Sequence, residues 1–113
     1  MSLESKRESS RRWRERNPEL ARQRQREQSA KARERGRAIT REAKDVPCMD
    51  CGQRFPHYVM EFDHRPGEQK YECVSTLLHY HKRLLEEIAK CDVVCGNCHN
   101  ARTYFRRQEQ GGQ

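Results

Sequence analysis

A small α+β domain preceded by a basic helical arm is the fold class that this 113-residue sequence predicts. Charge supplies the first observation, because residues 1–45 carry 15 basic and 8 acidic side chains, whereas residues 46–113 carry 9 of each. Cysteine supplies the second, because all six cysteines lie in residues 46–113. Apolar spacing supplies the third, since only that part shows strand-like or helix-like periodicity. A chain of this length builds one core, which we place in residues 46–107.

Composition excludes several classes of protein. Only 33% of the residues are hydrophobic, and no apolar run approaches the roughly 20 residues that a membrane-spanning helix needs. Residues 1–16 lack the apolar segment of a secretory signal. We therefore expect a cytoplasmic protein whose reduced cysteines favour metal binding over disulfides.

The arm, residues 1–45, is predicted to form two helices, at about residues 4–16 and 18–43. Arg, Glu, Gln and Ala, all strong helix formers, dominate its composition. Asn17-Pro18 interrupts it as a helix stop and restart, with Asn17 as N-cap and Pro18 in the first helical position. Its few large apolar residues cannot form a core, so we expect a frayed helix or a segment that orders on a partner.

Arginine dominates the positive charge of the arm, with 12 of its 15 basic residues. Guanidinium groups bind phosphate in bidentate geometry, and phosphate neutralisation dominates non-specific nucleic-acid affinity. We therefore expect the arm to bind double-stranded DNA, and a solvated, solubilising face is the alternative. No apolar face typical of a membrane-binding helix is present, so no membrane partner is expected. The arginines assigned to DNA contact are Arg11, Arg12, Arg14, Arg22, Arg24 and Arg26.

The second part of the chain is predicted to alternate strands and helices. Residues 58–62 alternate like a strand, and apolar spacing predicts a helix over about 75–89. Residues 93–94 form a short second strand that enters a cysteine pair. A helix begins near residue 99, and residues 108–113 are expected to fray.

Cysteines in this part form two C-x-x-C pairs. Four thiolates in two close pairs match the tetrahedral coordination of zinc, and a domain with so few apolar residues needs a cross-link of this kind to stay folded. A redox-active C-x-x-C is the alternative, but it lacks a thioredoxin-like βαβ context. Cys73 and Cys91 are expected to be small buried hydrophobes, although Cys91 is close enough in sequence to Cys95 to compete as a ligand. The predicted structural zinc ligands are Cys48, Cys51, Cys95 and Cys98.

A carboxylate and two imidazoles lie next to these cysteine pairs. Asp63-His64 ends the first strand, and His99 directly follows the last cysteine. Zinc bound by both pairs brings the two segments together. Asp63 and His99 can then share one divalent cation, while His64 stays free to take a proton from water.

With these motifs in this order, the sequence resembles a known family, the zinc-containing HNH endonucleases, in particular small phage-type ones. The resemblance covers residues 46–105. It implies the ββα-metal fold, in which two antiparallel strands and a helix surround one catalytic ion and zinc buttresses them. The matching segments are Cys48-x-x-Cys51, Phe62-Asp63-His64-Arg65-Pro66-Gly67-Glu68 and Glu87 to His99, which reads EIAKCDVVCGNCH.

The resemblance also implies roles for individual residues. His64 matches the general base, Asp63 and His99 match the ligands of the catalytic ion, and the four paired cysteines match the zinc ligands. The expected activity is metal-dependent hydrolysis of DNA phosphodiester bonds, by nicking or double-strand cleavage, with Mg²⁺ or Mn²⁺, and with Ni²⁺ as a further candidate in vitro. Lys90 stands where the family often has an asparagine that constrains the loop bearing the first histidine.

Arginines near His99 are further candidates for DNA contact. Arg102 and Arg106 follow it on one helical face, and we expect them to hold the phosphates of the cleaved strand, with solvated helix ends as the alternative. Arg65 can contact phosphate or serve the turn after the first strand. The other histidines are expected at surface or packing positions.

Two other functions stay open. A zinc-stapled DNA-binding or phage packaging accessory module without catalysis is the first, and a toxin-like nuclease with the same chemistry is the second. The resemblance points to a bacterial or phage-infected cell, with a phage terminase or packaging machinery as a candidate partner. Spread of a mobile element is the other context that it allows.

Overall fold

The structure, a computed structural model, describes residues 2–111. Over these residues it is a small α+β fold with four α-helices and one two-stranded antiparallel sheet. Its dimensions are 62 × 30 × 24 Å, so the arm makes the molecule elongated. The elements are α1 (Leu3–Arg16), α2 (Pro18–Ala43), β1 (Met60–His64), α3 (His81–Ile88), β2 (Cys91–Cys95) and α4 (Gly96–Gly111), with short 3-10 turns at His57–Val59 and Val74–Thr76.

Both helices of the arm form where the sequence predicts them, and the break falls at Asn17-Pro18. Asn17 precedes α2, but its side chain makes no capping hydrogen bond to that helix. Its amide instead donates to the carbonyl of Trp13, 2.9 Å away, and so closes α1. After the break α1 contacts α2, and the Arg24 guanidinium lies 4.6 Å from the centre of the Trp13 ring.

The C-terminal part of α2 packs against the rest of the molecule. Gly36 is buried against the backbone of Leu78, and Ile39 joins an apolar cluster beneath α3. The ring of His81 donates a hydrogen bond to the carbonyl of Ala32, at 2.8 Å. The predicted boundary at residue 45 separates α2 from the domain against which it packs. The sequence does not show this packing, because a glycine among charged residues gives no apolar periodicity.

The two strands pair antiparallel, with Met60 opposite Cys95 and His64 opposite Cys91. β1 starts two residues later than the predicted strand, so its predicted start at Tyr58 is wrong. Tyr58 is 78% exposed in a 3-10 turn, which forms because the amide of Val59 donates to the carbonyl of Pro56. β2 extends beyond the predicted residues 93–94 at both ends.

Two small apolar clusters form the core. The first contains Cys48, Met60, Val94 and Cys95, and the second contains Val74, Leu77, Leu84 and Cys91. α3 is shorter than the predicted helix 75–89, because residues 74–76 form a 3-10 turn. α4 is longer than expected and includes residues 108–111 of the predicted frayed tail, whereas residues 112–113 lie outside the described residues.

The two unpaired cysteines differ in environment. Cys91 is buried, as expected, and its thiol donates to the carbonyl of Glu87. Cys73 is exposed, so the prediction that it is buried is wrong. The 3-10 turn explains this difference, because it turns Val74 into the core in place of its neighbour.

Gly36→Ala is expected to destabilise the protein, although alanine favours a helix by about 1 kcal/mol. A Cβ atom at this position would overlap the carbonyl oxygen of Leu78, so α2 must move away. We expect a net loss of about 1–3 kcal/mol in the free energy of unfolding, measured by thermal unfolding. Gln28→Ala, at an exposed position of α2, is the control. An unchanged or higher melting temperature for Gly36→Ala would contradict the close packing.

Candidate functional site

Four cysteine side chains meet at one end of the sheet. Their sulfur atoms all lie within 4.8 Å of one another, and no other group of three or more His, Cys, Asp and Glu side chains in residues 2–111 meets this spacing. The predicted four-cysteine cluster is thereby confirmed, and its donors fit a tetrahedral ion such as Zn²⁺. The four residues are Cys48, Cys51, Cys95 and Cys98.

Backbone amides support the sulfur atoms. The amide of Cys95 donates to the sulfur of Cys48 at 3.3 Å, and the amide of Cys98 donates to the sulfur of Cys95 at 3.5 Å. Gly52, with φ of 73°, closes the first turn in a conformation that favours glycine, and its amide donates to the carbonyl of Cys48. Such N–H groups stabilise the thiolate form that a metal ion requires.

Ionisation of the thiols follows from these contacts. Burial acts to raise the pKa of Cys48, but backbone hydrogen bonds from Cys51 and Cys95 outweigh it and lower the pKa to about 6. A hydrogen bond with Cys95, followed by burial, raises the pKa of Cys98 to about 12. One thiol thus ionises readily while a neighbour keeps its proton, chiefly because of its hydrogen bond with Cys95, and a bound cation would favour the thiolate form of both.

Asp63 of β1 and His99 of α4 lie side by side near the cysteine cluster. The Nε2 atom of His99 is 3.8 Å from the Oδ1 atom of Asp63, and its Nδ1 atom is 2.6 Å from the carboxylate of Glu61. Two ligands that each lie about 2.1 Å from one ion are separated by roughly 3–4 Å. The Asp63 and His99 donors therefore have a spacing that fits a shared divalent ion.

Two arginines also contact Asp63. Arg106 donates to both carboxylate oxygens, at 2.8 and 2.7 Å, and Arg102 donates to one of them at 2.7 Å. Burial acts to raise the pKa of Asp63, but hydrogen bonds from Arg106 and Arg102 outweigh it and lower the pKa. Asp63 is only 5% exposed and is held as a carboxylate. An ion at this position has to share Asp63 with these guanidinium groups.

Arg102 connects several parts of the fold. It makes two hydrogen bonds to Asp50, at 2.7 and 2.6 Å, and one to Asp92 at 3.0 Å, in addition to its bond to Asp63. Hydrogen bonds to Asp50, more than those to the other carboxylates, raise its pKa far above the ordinary arginine value. Arg102 thus joins the first cysteine turn, both strands and α4.

The arginines expected at the cleaved phosphate therefore face protein acceptors. Arg102 and Arg106 contact carboxylates and are not solvated helix ends, because their side chains are 19% and 35% exposed. Arg65 donates to the carbonyls of Ala89 and Cys91, at 2.5 and 3.1 Å, and these contacts join the turn after β1 to the start of β2. The sequence alone does not show which acidic residues contact Arg102 and Arg106.

His64 lies on the other side of the sheet from Asp63. Successive side chains of a strand point to opposite faces, so Asp63 meets α4 while His64 meets α3. The Nε2 atom of His64 is 2.9 Å from the carboxylate of Glu87, and its side chain is 18% exposed. The structure thus brings Asp63 and His99 together and places His64 beside a residue that sequence reasoning missed.

Glu87 is the missed residue, and it is 2% exposed. Its carboxylate accepts hydrogen bonds from Lys90 at 2.6 Å, from the His64 ring and from the amide of Tyr71 at 3.3 Å. The bond from Lys90 contributes most to lowering its pKa, which reaches about 2 despite burial. Its spacing from Leu84, three residues earlier on the apolar face of α3, is the signal that could have identified it.

The arm carries the other arginines assigned to DNA. All of them are exposed, and two of them form ion pairs with arm glutamates, at 3.9 Å between Arg11 and Glu15 and at 3.4 Å between Arg12 and Glu8. Exposed pairs of this kind contribute little to stability, so they leave the charge accessible to a polyanion. The six arginines are Arg11, Arg12, Arg14, Arg22, Arg24 and Arg26.

Comparison of the chain with family models, with curated protein sequences and with solved structures gives no match. Among the described residues, no helix has both the length and the apolar character needed to cross a membrane. The functional interpretation therefore depends on the geometry of the residues described above.

Cys48→Ser is expected to abolish metal binding and the cooperative unfolding transition. The cysteine belongs both to the metal cluster and to the first apolar cluster, so its replacement weakens both. Metal content per chain and thermal unfolding check this expectation. Cys73→Ser is the matched control, because that thiol is exposed and lies outside the cluster. Retention of one zinc ion and an unchanged transition in Cys48→Ser would contradict the assignment.

Proposed function

We propose that this protein is a metal-dependent endonuclease of the HNH type that hydrolyses phosphodiester bonds of DNA. The observation that carries the proposal is the 3.8 Å approach of Asp63 and His99, between a strand and a helix that the cysteine cluster holds together. Two paired strands followed by a helix support it, because β1 and β2 pair, with α3 between them in the chain, and α4 contacts both strands. The sequence resemblance predicts the same two residues as ligands of the catalytic ion.

Each part of the site has a chemical role in this proposal. Asp63 and His99 would hold a divalent ion, for which Mg²⁺ or Mn²⁺, and also Ni²⁺, suit a mixed oxygen and nitrogen donor pair. Such an ion supplies stabilisation of the negative charge that develops on the phosphate. His64 is the proposed base that takes a proton from the attacking water, although its ring faces α3 and Glu87 while Asp63 and His99 meet on the α4 side of the sheet. The cysteine cluster with Zn²⁺ is structural.

Arg106 is the arginine best suited to reach a phosphate. Within residues 2–111 its hydrogen bonds go to Asp63 alone, whereas Arg102 also donates to Asp50 and Asp92. If Asp63 held a divalent ion, Arg106 would be less attracted to that carboxylate and could turn to a DNA phosphate. We therefore assign Arg102 to the scaffold and Arg106 to the substrate.

Double-stranded DNA is the proposed substrate, because the net charge of +7 lies in the arm. The elongated arm extends the basic surface beyond the small domain, and its exposed arginines suit contact with the phosphate backbone. Such contacts carry no sequence information, so the arm is expected to position the enzyme on DNA. A phage packaging machinery is the partner that the resemblance favours.

A non-catalytic DNA-binding or packaging accessory module is the second candidate. The observation that favours it is the pairing of Asp63 with two guanidinium groups, which neutralises the carboxylate without a metal ion. In that case Asp63 is a structural residue and the cysteine cluster is the one metal site in use. DNA binding without cleavage in the presence of any divalent ion would support this candidate.

His64→Ala is expected to lower the rate of plasmid nicking by at least about 100-fold. Supercoiled plasmid is incubated with Mg²⁺, with Mn²⁺ or with EDTA, and nicked and linear products are quantified. His57→Ala is the control, because His57 is exposed in a 3-10 turn. DNA affinity and zinc content should stay unchanged in both variants. Nicking by His64→Ala at the wild-type rate would remove His64 as the base.

Replacement of Arg22, Arg24 and Arg26 by glutamine is expected to weaken DNA binding at low salt. The slope of log K against log salt concentration should decrease by about 0.9 for each phosphate that the arm no longer neutralises. A variant with lysine at the same three positions keeps the charge and serves as the control. Equal affinity of the glutamine variant and the wild type at low salt would instead support a solvated, solubilising arm.

A further inference from the structure

We propose that Glu87 is a positioning residue for His64: it accepts the Nε2 hydrogen of the ring and leaves Nδ1 as the nitrogen that takes the proton from water. This inference rests on the proposed endonuclease function and deepens it, because it assigns the orientation of the base. Neither the sequence pattern nor the resemblance indicates a role for Glu87 in the reaction.

The contacts of Glu87 determine which ring nitrogen carries the hydrogen. One carboxylate oxygen accepts from Lys90 and from the backbone amide of Tyr71, and the other lies 2.9 Å from the Nε2 atom of His64. An ionised carboxylate can only accept hydrogen bonds. Nε2 of His64 must therefore be the donor, and in a neutral ring Nδ1 is then the free acceptor.

Lys90 provides the charge that lets this arrangement work. Glu87 is buried, and a buried carboxylate needs a compensating charge. Lys90 supplies that charge at 2.6 Å, so the Glu87 carboxylate does not depend on His64 for it. Lys90 also donates to the carbonyl of Gln69 at 2.9 Å, which anchors the segment that follows His64.

A carboxylate beside the ring has a second effect on the reaction. When Nδ1 takes a proton, the ring becomes positively charged, and the negative charge of Glu87 stabilises it. The buried carboxylate moves little, because three donors hold it in place. This prior orientation reduces the rearrangement that proton transfer requires.

Glu87→Gln tests the proposal, with Glu86→Gln as the matched control. Glu86 is the preceding residue of α3 and is exposed. The glutamine amide has one acceptor oxygen for the three donors that contact Glu87, so it can no longer specify the tautomer of the His64 ring. With supercoiled plasmid and Mn²⁺, we expect kcat to fall about 10- to 100-fold and KM to change less than about 3-fold. Glu87→Asp keeps the carboxylate and should retain more activity than Glu87→Gln.

A spectroscopic measurement separates positioning from a merely structural role. Long-range proton–nitrogen correlation spectra of the ¹⁵N-labelled, zinc-loaded wild type should show His64 protonated at Nε2, with the signal assigned by comparison with His64→Gln. Glu87→Gln should lose this preference, whereas Glu86→Gln should keep it. Zinc content and thermal unfolding verify that the variants are folded, and the wild-type spectrum tests the contact even if Glu87→Gln does not fold.

The outcomes distinguish this inference from the proposed function. A wild type that cuts DNA together with a Glu87→Gln variant that cuts equally well overturns the role of Glu87 and leaves the nuclease intact. A wild-type spectrum with His64 protonated at Nδ1 also overturns it. A wild type that does not cut with any divalent ion overturns the nuclease, and with it the catalytic part of this inference.

Discussion

The four-cysteine cluster is the constraint on which the rest of the structure depends. It joins the turn before β1 to the end of β2 and the start of α4. Cys48 and Cys95 are also buried members of the first apolar cluster, so the metal ligands and the core share the same residues. A domain with so little apolar area would gain much of its folding energy from a metal ion bound by these cysteines. Because the cluster fixes where α4 begins, it also fixes which residues of α4 face Asp63.

Local signals decide the parts of the structure that the sequence predicts correctly. The two arm helices and their break follow from helix propensity and a proline, and the cysteine cluster follows from spacing that few other structures use. Contacts between distant residues decide the parts that differ from the prediction. β1 starts later than the predicted strand because Tyr58 lies in a 3-10 turn. α3 is shorter than the predicted helix because a second 3-10 turn precedes it, and this turn buries Val74 and exposes Cys73.

For the candidate site, too, the sequence predicts what depends on local spacing and not what depends on contacts between distant residues. That His99, Arg102 and Arg106 share one face of a helix follows from their spacing, but what they face does not. Asp50 and Asp92 reach Arg102 from the cysteine turn and from β2, and only the folded chain brings them together. Glu87 escaped notice for a related reason, because its partner His64 lies 23 residues earlier in the chain. A charged residue on an apolar helix face was the available signal.

Side chains of β1 alternate between the two faces of the sheet, so the candidate site residues of this strand contact two different helices. Each helix is held in place by a different part of the molecule. Asp63 turns to α4, which the cysteine cluster holds, and His64 turns to α3, which packs through His81 against the carbonyl of Ala32 in the arm. The arm is thus linked to His64, the proposed base, through α3 and Glu87, while the cysteine cluster is linked to Asp63 through α4. Displacement of the arm is therefore expected to change first the orientation of His64, and loss of a metal ion from the cysteine cluster is expected to change first the distance between Asp63 and His99. In the proposed nuclease, a polyanion bound along the arm would affect His64 more directly than Asp63 and His99.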